Sequence, residues 1–468
     1  MTVTLYWVRK DFRLSDNAAL LSALDGDGPV VPICICDEVV ETYGAAPKWR
    51  WGEAAKTFAQ TLRAKKSDLI FRRGNALDVL RELIAETGAT RVVWGRQYDR
   101  AAKARDTSVK AALKAADIEA ISVRNHLLTE PWEIETKTGG PYRVYTPYKN
   151  ACLARESFAE PHPAPSKLNP PTEWPASHNI EDWHLDHAMN RGAAIVSHYS
   201  AVGEKAALKR LGVFLAKLVY YGAGRDTPSI VGTSRLSENL AWGEISPQTI
   251  WSAVRNDPTA NSDGAKVFLS EILWREFAYH LTHHYPNIGD ANWRDEWDRF
   301  PWRKDNEDAE VWRRGMTGLP FVDAAMRELY TTGIMHNRLR MLTASALTKH
   351  LMTDWRVGEQ WFADCLLDWD PASNAMGWQW AAGSGPDASP FFRIFNPETQ
   401  RYKFDRAGIY VENWVAEKAL KPSKDGQRFF KAIPKSWNMS PDQPYPNPIV
   451  DLKAGRERAL AAYKELRA

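Results

Sequence analysis

The sequence predicts two dissimilar halves: an α/β N-terminal domain built on a doubly wound parallel sheet, and a larger all-α C-terminal domain. Three observations predict this. Short β-like runs alternate with helical stretches through about residue 123. A segment of fading periodicity then carries Pro161, Pro163, Pro165, Pro170, Pro171 and Pro175, a composition that interrupts helix and strand alike. From His198 onward the apolar residues recur at helical spacing. The α/β domain is therefore placed at 1–129, a connector at 130–197 and the helical domain at 198–468.

Taken in order, the strands are Thr4–Val8, Val30–Cys36, Leu69–Arg72, Arg91–Trp94 and Ala120–Val123. The intervening helices are Trp51–Lys65, Ala76–Glu86 and Ala101–Ala116, the spacing of βαβ units. The first strand runs into VRKDFRLSDN without a G-x-G-x-x-G turn, so a dinucleotide pyrophosphate finds no Rossmann-type cradle there. In the second half the helical stretches are Ala265–His284, Phe321–Tyr330, Met335–Met352 and Gly358–Leu367, and a charged helix-like run, Leu452–Leu466, closes the chain.

Composition narrows the function classes. The length of 468 residues suits two or three domains with substantial cores. The 21 tryptophans are collectively too many for packing alone and point to base stacking, flavin stacking or electron hopping between indoles. A net charge of +3 permits an anionic partner without the signature of a dedicated nucleic-acid binder. Cys34, Cys36, Cys152 and Cys365 form no CxxC pair, and no metal or disulfide is expected. With no leader-like opening and no long apolar run, a cytoplasmic, membrane-free protein is expected.

Four constellations carry candidate chemistry. In DWDPASNAMGWQWAAGSGPDASPFFRIFNP, Asp370 can cap a helix opened by Pro371, placing Asn374 and Trp378 one turn apart on a polar, aromatic face. A Trp-rich packing helix is the plainer alternative. In VFLSEILWREF, Glu271, Trp274 and Arg275 share a helical face; an i,i+4 ion pair explains Glu271 with Arg275 but gives no reason for Trp274. In HNRLRM, Asn337, Arg340 and Met341 form one stripe, with Arg340 a candidate partner for Asp368 and Arg338 directed elsewhere, suited to a phosphate. GTSRLS, at Gly232–Ser237, supplies hydroxyls and an arginine suited to a phosphate or pyrophosphate, although simple helix capping is commoner. Beyond these, Arg393, Arg401, Lys403, Arg406, Lys418, Lys421, Lys424 and Arg428 interleave with Phe391, Phe392, Tyr402, Phe404, Trp414 and Phe429, a nucleic-acid face or a solvated basic one.

Together WVRKDFRLSDN, GTSRLS, EILWREF, GLPFVDAAMREL, MHNRLRM, the long tryptophan-rich segment and TQRYKFD resemble the photolyase/cryptochrome family, and most of all its bacterial cyclobutane pyrimidine dimer photolyases. The resemblance implies an antenna-binding α/β domain and a helical domain holding FAD in a U-shaped conformation. It implies FAD contacts from Tyr221, Thr233, Ser234, Arg235, Leu236, Ser237, Arg275, Asn337, Asp368, Asp370 and Asn374, with Arg340 beside Asp368. Asn374 matches the position facing flavin N5, where asparagine goes with repair and favours reduced flavin. Glu271, Trp274, Asn337, Met341 and Trp380 match the lesion pocket, and Arg225, Arg338, Arg393 and Lys403 fit phosphate binding. Trp378, Trp355 and Trp302 match a chain of tryptophans ordered from flavin to surface.

The implied reaction is light-driven electron transfer from reduced FAD to a pyrimidine dimer flipped out of UV-damaged DNA, a flipping mode general to enzymes of this kind. A cryptochrome photoreceptor without repair activity is the alternative. A monomer is expected, with methenyltetrahydrofolate as antenna and a deazaflavin or no antenna as alternatives. Ala102 and Lys103 stand where the best-known folate-binding relatives carry asparagine and glutamate, so the antenna is expected in a somewhat different pocket.

Overall fold

Five parallel strands, β1 (Val3–Val8), β2 (Val30–Cys36), β3 (Ile70–Arg73), β4 (Ala89–Gly95) and β5 (Glu119–Val123), form one sheet in the order β3-β2-β1-β4-β5. This computed structural model describes residues 2–155, 158–189, 191–387 and 393–468. Helices α1 (Ala18–Leu24), α2 (Ala45–Ala64), α3 (Ala76–Thr87) and α4 (Arg100–Ala115) connect successive strands and cover both sheet faces. Covered faces explain why β2, VVPICIC, is apolar throughout and buried throughout, where a one-sided strand would alternate. The predicted helix at Trp51 begins earlier, at Ala45, because that first turn docks on the helical half, with the Ala45 amide donating to Asp364 Oδ1 at 2.9 Å.

The connector holds a helix that the sequence reading missed, α5 (Tyr145–Leu153). YTPYKNACL is short and carries Pro147 in its first turn, so its stripe of Tyr145, Tyr148 and Cys152 is a weak signal; those residues are buried against the helical domain, and tertiary packing makes this helix. Beyond it lie α6 (Glu204–Leu215), α7 (Ser237–Ala241), α8 (Asp263–His284), α9 (Pro320–Thr332), α10 (Asn337–Ser345), α11 (Trp355–Cys365), α12 (Pro371–Ala382) and α13 (Leu452–Arg467). The helix expected over Met335–Met352 starts later and ends earlier. His336 caps it by accepting the Arg338 N–H at Nδ1 (3.2 Å), and a π-helical turn at Ala346–His350 follows Ser345. None of the described helices is long and apolar enough to cross a membrane.

The buried helix α8 joins the two halves. Glu276 Oε2 accepts the Leu128 and Thr129 amides at 2.9 and 3.2 Å, and the Tyr142 amide donates to His280 Nε2 at 3.0 Å. Gly243 stands where the loop after α7 touches the loop after β1. Its φ of +64° is in the left-handed region, and an added Cβ would overlap the Lys10 carbonyl.

Candidate functional site

A cavity of about 780 Å³ opens in the helical half. Its walls include the 232–237 loop leading into α7, one face of α8, the stripe of α10, and the turn from Asp368 into α12. The three helices among them start from side-chain caps, at Ser262, His336 and Asp370. Asp370 caps α12 by accepting the Ser373 amide at 2.8 Å, with Pro371 at the first helical position. Asn374 and Trp378 then follow one turn apart toward the cavity.

At the polar end, Thr233, Ser234, Arg235, Leu236 and Ser237 line the space together with Tyr221 and Arg210. Arg235 holds a left-handed φ of +54°, a conformation disfavoured for a side chain of its size. Arg340 Nη2 donates to Asp368 Oδ2 and Oδ1 at 2.8 and 3.0 Å. Arg275 does not meet Glu271 in the i,i+4 pair that its spacing permits. It reaches the loop after β5, donating to the His126 carbonyl at 2.9 Å and contacting His126 Nε2 at 2.5 Å. Burial and the Arg275 charge push the His126 pKa well down, so the ring is neutral and accepts from the guanidinium. Tyr279 donates to Asp370 and packs edge-on against the His126 ring, with centroids 5.4 Å apart, so the cap of α12 rests on the loop after β5.

Glu271 pairs instead with Arg225, at 2.6 Å, and remains partly exposed at the cavity mouth. Beside it Trp274 lies flat on Tyr145, with centroids 3.5 Å apart and planes 10° from parallel. Sequence reasoning missed Tyr145 because the connector offered no motif there. Asn337, Met341, Trp380 and Arg393 line the same cavity, with the Arg393 guanidinium 5.5 Å from the Trp380 ring centre. Arg338 and Lys403 lie outside it: Arg338 pairs with Asp226 at 2.7 Å, and the two cations sit 4.5 and 5.1 Å from the Phe404 ring centre. Phe391 and Phe392 lie outside the described residues, as do the other positions of 388–392.

Asn374 gives its amide hydrogens to α11, with Nδ2 donating to Glu359 Oε1 at 2.8 Å and to the Glu359 carbonyl at 3.1 Å. Its own carbonyl oxygen is left as the group to offer the cavity. Glu359 is a second residue that the sequence motifs did not mark. Burial raises its pKa to about 7, and the Asn374 hydrogen bond lessens the rise.

Trp378 lines the cavity, is 2 % exposed, and rests on Gly358 of α11. Trp355, fully buried, begins α11 and donates to Asn292 Oδ1 at 2.9 Å. Trp302 is half-buried, and its neighbour Arg303 is tied to Met352 and Asp354 beside the start of α11 by backbone bonds of 2.8 and 2.9 Å. Trp378 and Trp355 belong to one hydrophobic cluster, and the partly buried Trp302 packs against it.

The donor set fits a dinucleotide flavin. The hydroxyls of Thr233, Ser234 and Ser237 with Arg235 suit a pyrophosphate, while Asp368, Asp370 and Asn374 offer acceptors to sugar hydroxyls and ring N–H groups. The cavity volume falls within the range usual for ligand sites of this kind.

Comparison with known proteins agrees. Residues 4–167 match the family described as DNA photolyase, and 268–465 the FAD binding domain of DNA photolyase. A deoxyribodipyrimidine photo-lyase of Agrobacterium fabrum is 44% identical over 465 residues, covering 98% of this chain and 97% of that protein. The crystal structure of a bacterial class III photolyase from Agrobacterium tumefaciens superposes with a TM-score of 0.90 at 43% identity, covering 100% of this chain and 98% of the other. A Synechocystis cryptochrome structure is also similar, with a TM-score of 0.84 at 27% identity, covering 99% and 98%.

Proposed function

Because the chain belongs to the DNA photolyase family, we propose that it repairs cyclobutane pyrimidine dimers in DNA by light-driven electron transfer from reduced FAD to a dimer flipped into the cavity. The observation that carries this reading is the sharing of one cavity. A polar set suited to FAD, Thr233–Ser237 with Asp368, Asp370 and Asn374, faces the same space as Glu271, Trp274, Met341 and Trp380, a set suited to stacked pyrimidines.

FAD, when bound, supplies the photoexcited electron donor, and the protein positions it and sets its surroundings. Tyr221, Arg235, Arg275 and the 233–237 hydroxyls would hold it, with Asp368 fixed by Arg340 and Asp370 by Tyr279. Asn374 is oriented by Glu359 so that its carbonyl oxygen accepts a hydrogen bond at the cavity face. Trp274 and Trp380 stack on the paired bases, and Trp274 is held flat by Tyr145. Glu271, kept at the mouth by Arg225, accepts hydrogen bonds from a pyrimidine edge. Trp378, Trp355 and Trp302 would give an electron from an external reductant at the surface a path inward toward the cofactor.

For the antenna we propose methenyltetrahydrofolate, with a deazaflavin or none as alternatives. The crevice between β1 and β4, where doubly wound sheets usually take ligands, is filled here by Arg9 and Arg105, stacked on Trp7 at 4.5 and 4.9 Å and paired with Asp106. That filling supports an antenna pocket elsewhere. Mass spectrometry of chromophores released by denaturation identifies the antenna.

The primary test is loss of thymine dimers from a defined oligonucleotide under blue light, with purified, reduced protein and a dark control. Repair in light alone is expected. Dimers that persist with reduced FAD bound would favour the photoreceptor reading, to which the cryptochrome likeness also belongs.

A further inference from the structure

One arginine of the α/β domain reaches the loop that faces the polar end of the cavity. Arg50 stands in α2 with no exposed surface. Its Nε donates to Glu238 Oε1 at 2.6 Å, and Nη1 and Nη2 donate to Glu244 Oε1 and Oε2 at 3.0 and 2.6 Å. Glu238 directly follows Ser237, and Glu244 lies just past α7; they are 3 % and 0 % exposed. The guanidinium fork therefore closes on both ends of the element that carries the Gly232–Ser237 loop.

The carboxylates pass the constraint on. Glu238 accepts from the Ser200 hydroxyl and, at Oε2, from Arg210 at 2.7 Å. Glu244 accepts the Gly203 amide at 2.8 Å and Asn239 Nδ2 at 2.6 Å. Arg210, itself on the cavity wall, donates to the carbonyl of Arg235 at 3.0 Å and to Asn239 Oδ1 at 2.9 Å. Arg235 is the loop residue with the left-handed backbone. Such a conformation persists only where neighbours over-determine it, and this chain of bonds begins at Arg50.

Burying Arg50 with two anions, beside a partly exposed Arg210, is a weak way to glue domains, because desolvation offsets most of the attraction. What such a network supplies is a single geometry. We propose that Arg50 is a positioning residue for cofactor binding. It holds the 232–237 backbone so that the hydroxyls of Thr233, Ser234 and Ser237 face the cavity before FAD arrives. The proposal rests on the reading of this cavity as the FAD site, and it makes the α/β domain part of that site.

Two variants test it. Arg50→Lys keeps the charge but lacks the fork needed to hold both carboxylates. Arg50→Gln combined with Glu244→Gln removes one charge of each sign and leaves Glu238 with Arg210. For each, the rate of FAD release is followed by the fluorescence of freed flavin. Amide hydrogen exchange of residues 232–239 and the thermal midpoint are measured on the FAD-free protein. The expected result is release faster by about tenfold or more and faster exchange at 232–239, with midpoints within a few degrees of wild type. Wild-type release and exchange in both variants would overturn the proposal, as would changes that merely track a general loss of stability. A wild-type protein that takes up no FAD counts against the cofactor reading instead, and the exchange arm still decides whether Arg50 orders the loop.

Discussion

Glu271 illustrates how little a residue's spacing says about its partner. Its helical neighbour Arg275 is the obvious counter-ion, yet the structure gives Glu271 to Arg225 at 2.6 Å and sends Arg275 to His126. Glu271 thus stays at the cavity mouth while Arg275 is spent on the α/β domain. By the role proposed for it, Glu271→Ala removes one charge-assisted hydrogen bond to the lesion, about 1.5–3 kcal/mol. The light-driven repair rate should fall roughly ten- to hundred-fold with FAD still bound, while the freed Arg225 offsets part of any loss in DNA affinity, and unchanged repair would remove Glu271 from the lesion site. Glu359 carries a different prediction. Burial lifts its pKa from 4.5 to about 7. Between those values the folded state holds a proton that the unfolded chain has released, so Glu359 subtracts stability as pH rises through that window. Glu359→Gln cannot titrate, so its thermal midpoint should gain on wild type from about pH 4.5 to 7; a pH-independent difference would mean Glu359 titrates normally. No motif marked Glu359, because its importance comes from a contact across two helices.

At the scale of elements, α12 was legible and its setting was not. Asp370, Pro371, Asn374 and Trp378 announce a capped helix with one special face, because capping and the helical repeat are local rules. The depth of that face depends on Gly358 of α11, against which the Trp378 ring lies. Gly358→Ala places a Cβ inside the indole, so either ring or helix must shift. A loss of about 1–3 kcal/mol is expected, and photoreduction of bound oxidised flavin should slow, because Trp378 is the proposed inner electron donor. The first is read by denaturant unfolding and the second by flavin absorbance under blue light. A destabilised variant that photoreduces at the wild-type rate would take Trp378 off that path. Helix α5 shows the opposite case: nine residues with Pro147 in the first turn give a weak local signal, and burial of Tyr145, Tyr148 and Cys152, with Tyr145 stacked on Trp274, holds the helix.

Over the whole molecule, the sheet and the helical half were readable because their periodicities are intrinsic, whereas the pairing of charges between distant segments was not. The sequence marks Arg225, Arg338, Arg393 and Lys403 alike as phosphate ligands. The structure divides them. Arg225 and Arg338 already carry Glu271 and Asp226 as internal counter-ions, while for Arg393 and Lys403 no carboxylate lies within ion-pair distance among the described residues. A cation neutralised within the protein contributes little to counter-ion release from DNA, and one freed of its partner contributes about 0.9 to the slope of log K against log salt. Asp226→Ala should therefore steepen that slope by about 0.9, measured by fluorescence anisotropy of a dimer-containing duplex over a salt series. Affinity at low salt should rise with it, because Arg338 would meet a phosphate without first leaving Asp226. If the slope does not change, Arg338 faces no phosphate, and its place over Phe404 beside Lys403 is a matter of packing alone.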